Sequence, residues 1–177
     1  MYKKSVIIFL MVLLFTCAQL CEGFADEKLV ADLETGTLGS LKVGQSYGGE
    51  TLGAAIGAEA DSVDLDPFGE LDFYKFFSQG ILIIASGEFY ILDIIIYPKE
   101  AKRHPDVVFK AFKGEFRPSI PKNASKETIT AIFGEPDEID DSEGLISFTY
   151  NRSYGQLGLV FDENNQLAMV DIYGGDE

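Results

Sequence analysis

Glu127-Thr128-Ile129-Thr130-Ala131-Ile132-Phe133-Gly134 lies 77 residues after Glu50-Thr51-Leu52-Gly53-Ala54-Ala55-Ile56-Gly57, and the two octapeptides share an opening Glu-Thr, an apolar stripe and a closing glycine. Further along, Gly69, Phe73, Gly80 and Leu82 match Gly144, Phe148, Gly155 and Leu157 at an offset of 75, and Ile96-Tyr97 matches Ile172-Tyr173 at 76. An offset that drifts by two residues over this span marks an internal repeat, which takes precedence over any local reading.

Both units open with helix signals. Ser46 and Ser125 are candidate N-caps, and Gly57 and Gly134 stand where a glycine releases the chain from a helix. The second helix is the clearer one, because Pro136 blocks its continuation. Three strands follow in each unit, at 70–77, 81–86 and 89–97 in the first and 144–151, 155–161 and 166–173 in the second, with turns rich in Gly, Ser, Asn and Asp. A leading strand is expected near 37–42 and near 107–117. The expected fold class is therefore α+β: two tandem repeats, each a short helix packed on a small antiparallel β-meander. The expected divisions are a signal peptide at 1–25, unit 1 at 26–98, a basic inter-unit segment at 99–113 and unit 2 at 114–177.

Alternation distinguishes the faces of the second unit. Ile146, Phe148 and Tyr150 point one way and Ser147, Thr149 and Asn151 the other, the pattern of a sheet with one wet face. The first unit is apolar on both faces. With Leu71, Phe73, Leu82, Ile84, Leu92, Ile94 and Ile96 toward the helix, the opposite face still carries Tyr74, Phe76, Ile81, Ile83, Ile91, Ile95 and Tyr97. That second face either packs on the other unit or the leading strand, or binds a partner.

The first 25 residues have the layout of a secretory signal: Lys3 and Lys4, an apolar run from Val6 to Phe15, and Gly23-Phe24-Ala25, with cleavage expected after Ala25. The run is well short of the ~20 residues that span a bilayer. Lipid attachment at Cys17 or Cys21 is disfavoured because Phe15 and Leu20 are bulky where a lipidation signal needs small residues. The whole chain has 177 residues, 46% hydrophobic, and a formal charge of −15. Such a composition supports a packed core and argues against nucleic acid as a partner. Residues 99–126 are net basic, and the segments on either side are strongly acidic. Lys99, Lys102, Arg103, Lys110, Lys113 and Arg117 either neutralise those flanks or form a phosphate or lipid site.

The helix followed by a short meander, the Gly134-Glu135-Pro136 helix exit, and the run from Leu159-Val160-Phe161-Asp162 to Asp171-Ile172-Tyr173 together resemble the superfamily of the beta-lactamase inhibitory protein and the small periplasmic outer-membrane assembly lipoproteins. The tandem organisation is most similar to the inhibitory protein and to secreted bacterial immunity proteins. The first unit departs from the motif, with Ala58-Glu59 where the second has Glu135-Pro136, and the paired disulfides of that family are absent. The resemblance implies a non-catalytic inhibitor or immunity protein, periplasmic or secreted, that occludes a cognate toxin or enzyme. The alternative is a structural module of the cell envelope.

Two kinds of residue suit such a role. Tyr47, Tyr74, Phe76, Tyr90 and Tyr97 are candidate aromatic anchors. Two acidic loops, carrying Asp61, Asp64 and Asp66 and then Asp137, Asp140, Asp141 and Glu143, would steer a basic partner or simply serve solubility. Chemistry has little to work with. His104 is the single histidine and lies in a polar inter-unit stretch, no metal-ligand set has the right spacing, and no two carboxylates are placed by the sequence in one pocket. No cofactor is expected.

Overall fold

Strands dominate the chain. The computed structural model describes residues 28–65, 70–86, 90–104, 107–142 and 144–174. The expected signal peptide with Cys17 and Cys21, and the candidate residues Asp66 and Glu143, lie outside the described residues. Among the described residues there are fourteen strands and two helices. The order is β1 (Val30–Asp32), β2 (Thr37–Leu38), β3 (Leu41–Lys42), α1 (Gly49–Ile56), β4 (Ser62–Leu65), β5 (Leu71–Phe76), β6 (Ile81–Ser86) and β7 (Ile91–Ile96). Then come β8 (Ala101–His104), β9 (Val107–Phe109), β10 (Glu115–Arg117), α2 (Lys126–Phe133), β11 (Glu138–Ser142), β12 (Leu145–Arg152), β13 (Gly155–Phe161) and β14 (Leu167–Gly174).

The expected α+β class of two helix-plus-meander repeats is corrected here: the protein is mainly β. The two meanders do not stand as separate sheets. They join side by side into one antiparallel eight-stranded sheet, β11-β12-β13-β14-β7-β6-β5-β4. The junction is the β14–β7 pairing, with Val170 opposite Ile96 and Ile172 opposite Ile94. The leading segments form a further sheet, β10-β1-β2-β3, in which β1 and β10 run parallel. Ile94, Ile96, Val170 and Ile172 are fully buried, and they share one core with Leu38 and Leu41 of the smaller sheet, with Leu33 just after β1, and with Leu52 and Ile129 of the helices. Each helix is only eight residues long, too short to persist without that packing.

The burial sequence of β7, with Ile91, Ile94 and Ile96 inward, recurs 76 positions later in β14 at Leu167, Val170 and Ile172. The bulges between Ile84 and Ala85 and between Val160 and Phe161 are spaced alike. Local signals held at several points. Ser125 accepts a hydrogen bond from the Thr128 amide at 3.4 Å, and Gly57 ends α1 in the left-handed region. The expected cap Ser46 instead pairs with Tyr90 in a lone bridge, and extended Gly48 precedes α1 with no side-chain cap.

The faces of the first half are the reverse of the sequence expectation on β5 and β6. Tyr74, Phe76, Ile81, Ile83 and Ala85 point into the core, while Leu71, Phe73, Leu82 and Ile84 lie half-exposed on the other side. A run such as Ile81-Leu82-Ile83-Ile84 carries no alternation, so register has to come from pairing: Tyr74 is opposite Ile83, and Ile83 opposite Ile94. The β8–β9 hairpin covers one end of the second face by placing Phe109 against both Phe77 and Tyr97. The chain then crosses the sheet end at Gly80, whose amide hydrogen bonds to Phe77 and whose carbonyl accepts from Tyr97.

That crossing requires glycine. Gly80 has φ +71°, and an added Cβ would sit 2.2 Å from the Lys110 carbonyl oxygen, whereas Gly57, at φ +72°, has open space around it. Gly80→Ala is expected to cost about 2–5 kcal/mol from left-handed strain plus displaced backbone, and Gly57→Ala about 1–2 kcal/mol from strain alone. Denaturant melts of the two variants measure this difference, and equal costs would refute it.

Candidate functional site

The acidic runs expected to be loops are strands. Asp is a poor strand former, but it is tolerated at a sheet margin where its carboxylate stays in water. β4 carries Asp64 and β11 carries Glu138, Asp140 and Asp141, and these two strands are the opposite edges of the eight-stranded sheet. Asp61 accepts from the Ser78 amide, Asp64 pairs with Lys75, and Asp137 accepts from the Asn151 amide at 2.7 Å. The bond from Lys75 holds the Asp64 carboxyl below its ordinary value.

A cleft runs between each edge and its helix. The first, about 710 Å3, has Leu52, Ala58, Glu59, Val63, Tyr74 and Phe76 in its walls. The second, about 620 Å3, has Glu127, Glu135, Ile139, Asp141, Ile146 and Phe148. The two occupy corresponding places: Val63 is opposite Tyr74 on the neighbouring strand, and Ile139 is opposite Phe148. Val63, Leu65 and Ile139 on these edge strands are 44%, 67% and 59% exposed. Exposed apolar side chains and carboxylates therefore occur together on both edge strands.

The aromatic anchors are placed differently from expectation. Tyr74, Phe76 and Tyr97 are buried, so they cannot reach a partner as free anchors, although Tyr74 and Phe76 form the back wall of the first cleft. Tyr47 is half-buried, and its hydroxyl is engaged with the Lys42 amide, the Ser40 carbonyl and Gln45. Tyr90 is half-buried beside Ser46. None of the five therefore behaves as an exposed hot spot.

The structure also brings together two carboxylates that the sequence reading left apart. Asp93 on β7 and Asp171 on β14 share a hydrogen bond across the sheet junction. One oxygen of each, Oδ1, is shielded from solvent with no hydrogen-bond partner. Burial first, then the hydrogen bond and charge of Asp171, push Asp93 up to about 9, so Asp93 keeps its proton at neutral pH. The signal was there to read: each is a lone Asp in an otherwise apolar strand, Ile91-Leu92-Asp93-Ile94-Ile95-Ile96 and Ala168-Met169-Val170-Asp171-Ile172. Neither lines either cleft. Among the described residues, no three His, Cys, Asp or Glu side chains are grouped to hold a metal ion, and no helix is long and apolar enough to cross a membrane.

No family model matches the chain, and no curated protein matches it. Among solved structures it is similar to a DUF4309 family protein, YjgB, from Bacillus subtilis, with a TM-score of 0.49 and 14% identity over 78% of this chain and 84% of that one.

The Asp93–Asp171 pair sets a pH dependence. The folded-state value of Asp93 lies above its ordinary 3.8, so between about pH 4 and pH 9 the folded chain keeps a proton that the unfolded chain releases. The stability contributed by that proton is full below pH 4 and falls as pH rises to about 9. Asp93→Asn removes the ionisation. Its stability relative to the parent is expected to grow with pH across this window, by at most ~1.4 kcal/mol per pH unit. Urea melts at pH 4, 6 and 8 test this, and a difference independent of pH would contradict it.

Proposed function

We propose that the protein is a secreted or periplasmic binding protein that inhibits a cognate toxin or enzyme by occluding it, and that the contact is made at the two helix–edge clefts. The observation that carries this reading is the pairing of exposed apolar side chains, Val63, Leu65 and Ile139, with carboxylates on both edge strands. The chain's charge of −15 supports a basic partner, because a field of that sign accelerates encounter while the apolar contacts hold the complex. The resemblance to inhibitory and immunity proteins points the same way.

Recovery of a basic protein from native extract at low salt is the first expectation. Two variants then separate encounter from grip. Asp137→Lys with Asp140→Lys and Asp141→Lys is expected to slow association at least tenfold at low salt, with the difference shrinking as salt is raised. Val63→Ser with Ile139→Ser is expected to speed dissociation with little salt dependence. Stopped-flow or surface-binding kinetics on the recovered partner give both rates. A mature chain with lipid on Cys17 or Cys21 and no soluble partner would overturn the inhibitor reading in favour of an envelope module.

A further inference from the structure

On the sheet face away from the helices, beside the β8–β9 hairpin, lies a pocket of about 220 Å3. Its floor is apolar: Leu145, Val160, Ala168 and Met169, with the buried ring of Tyr97 at the side. Its rim is cationic, formed by Lys99, Lys102 and Arg103. Part of the basic segment that contributes this rim is paired with acids: Lys99 with Asp162, Lys110 with Glu100, and Arg117 with Asp32. Glu100, the carboxylate of the rim, is thereby engaged by Lys110.

Arg103 is held differently. Its Nε donates to the Tyr97 hydroxyl at 3.3 Å, its guanidinium lies 5.2 Å from the centre of the Tyr97 ring, and a terminal nitrogen touches Met169. Among the described residues neither Arg103 nor Lys102 has a carboxylate partner, although the chain has twice as many acids as bases. Tyr97 is itself fixed against Phe109 at 4.5 Å between ring centres, so the guanidinium is braced. A planar, braced guanidinium is a good receptor for a carboxylate, which it can grip with two parallel hydrogen bonds. The pocket is smaller than the ~300 Å3 at which ordinary small-molecule sites begin, so its occupant is small.

We propose that this pocket binds a small amphipathic carboxylate, with a short aliphatic group, of the size of a leucine side chain, on Leu145, Val160 and Met169 and its carboxylate between Arg103 and Lys102. The chemistry is common to a free polypeptide C-terminus and a short fatty acid. The site is separate from the helix–edge clefts, so it stands whether or not the inhibitor reading does.

The test titrates the full chain with N-acetyl-leucine, N-acetyl-leucinamide, hexanoate and inorganic phosphate, following the Met169 methyl resonance. Saturable shifts with N-acetyl-leucine or hexanoate are expected, and the tighter of the two identifies a peptide end or a fatty acid as the source. The amide is expected to bind at least tenfold more weakly. Arg103→Gln and Lys102→Gln, both at exposed positions and checked by an unchanged melting temperature, are each expected to weaken the carboxylates severalfold. Equal binding of acid and amide, phosphate binding as tightly as N-acetyl-leucine, or carboxylate binding unchanged in both variants would overturn the proposal.

Discussion

The β7–β14 pairing is the contact on which the rest of the structure depends. It joins two four-stranded halves through their last strands, so Ile94, Ile96, Val170 and Ile172 lose all exposure at the middle of one sheet. The same choice sends the first strand of each half outward. β4 and β11 are the acid-bearing strands, and joining the halves through them would have laid like charges opposite one another, which is destabilising in a sheet. Joining through β7 and β14 brings together apolar strands with a single carboxyl each. The cost at the junction of bringing Asp93 and Asp171 together is met at Asp93, whose raised value removes one of the two charges. Charge distribution along the chain thus favours one assembly of the halves over the other.

The smaller sheet and the helices follow from that junction. The combined inner face is too wide for two eight-residue helices to cover, and the leading segments complete the cover with Leu33, Leu38, Leu41 and Val43. Tyr154 ties the layers together by donating its hydroxyl to the Leu33 carbonyl at 2.8 Å, and burial raises its pKa. Strand β10 lies parallel to β1, more than eighty residues away in sequence, so this layer forms only once the middle of the chain has returned to its first strand.

What the sequence made legible, and what it hid, follows from how local each determinant is. The second helix could be read because its cap, Ser125, and its stop, Pro136, lie within a few residues of it, and the phase of β12 could be read because Phe148 and Tyr150 alternate with polar residues. The first half had no such phase. Its isoleucine runs fit either face, and assigning the wrong one turned Tyr74 and Phe76 from core residues into supposed surface anchors. Fusion of the halves left no local trace at all, because the edge of a meander and the interior of a larger sheet have the same pattern when both strands are apolar. The acidic runs were misread for a physical reason as well: composition alone favours a turn, and only an edge position makes such a strand stable. Asp93 and Asp171 were legible individually as misfits in apolar strands, and their meeting depended on the junction.

The two edges bear on function through a conflict in their own composition. Carboxylates along a sheet margin are well suited to preventing association with another sheet, and that role alone would account for Asp64, Glu138, Asp140 and Asp141. It gives no part to Val63, Leu65 and Ile139, which sit exposed on those same strands. Small polar residues there would serve a purely protective edge better. On the binding reading proposed above, the carboxylates would attract a basic partner and the apolar groups would be buried against it. The combination occurs at corresponding places on both edges, each beside a helix-walled cleft, which is the placement that the binding reading asks for.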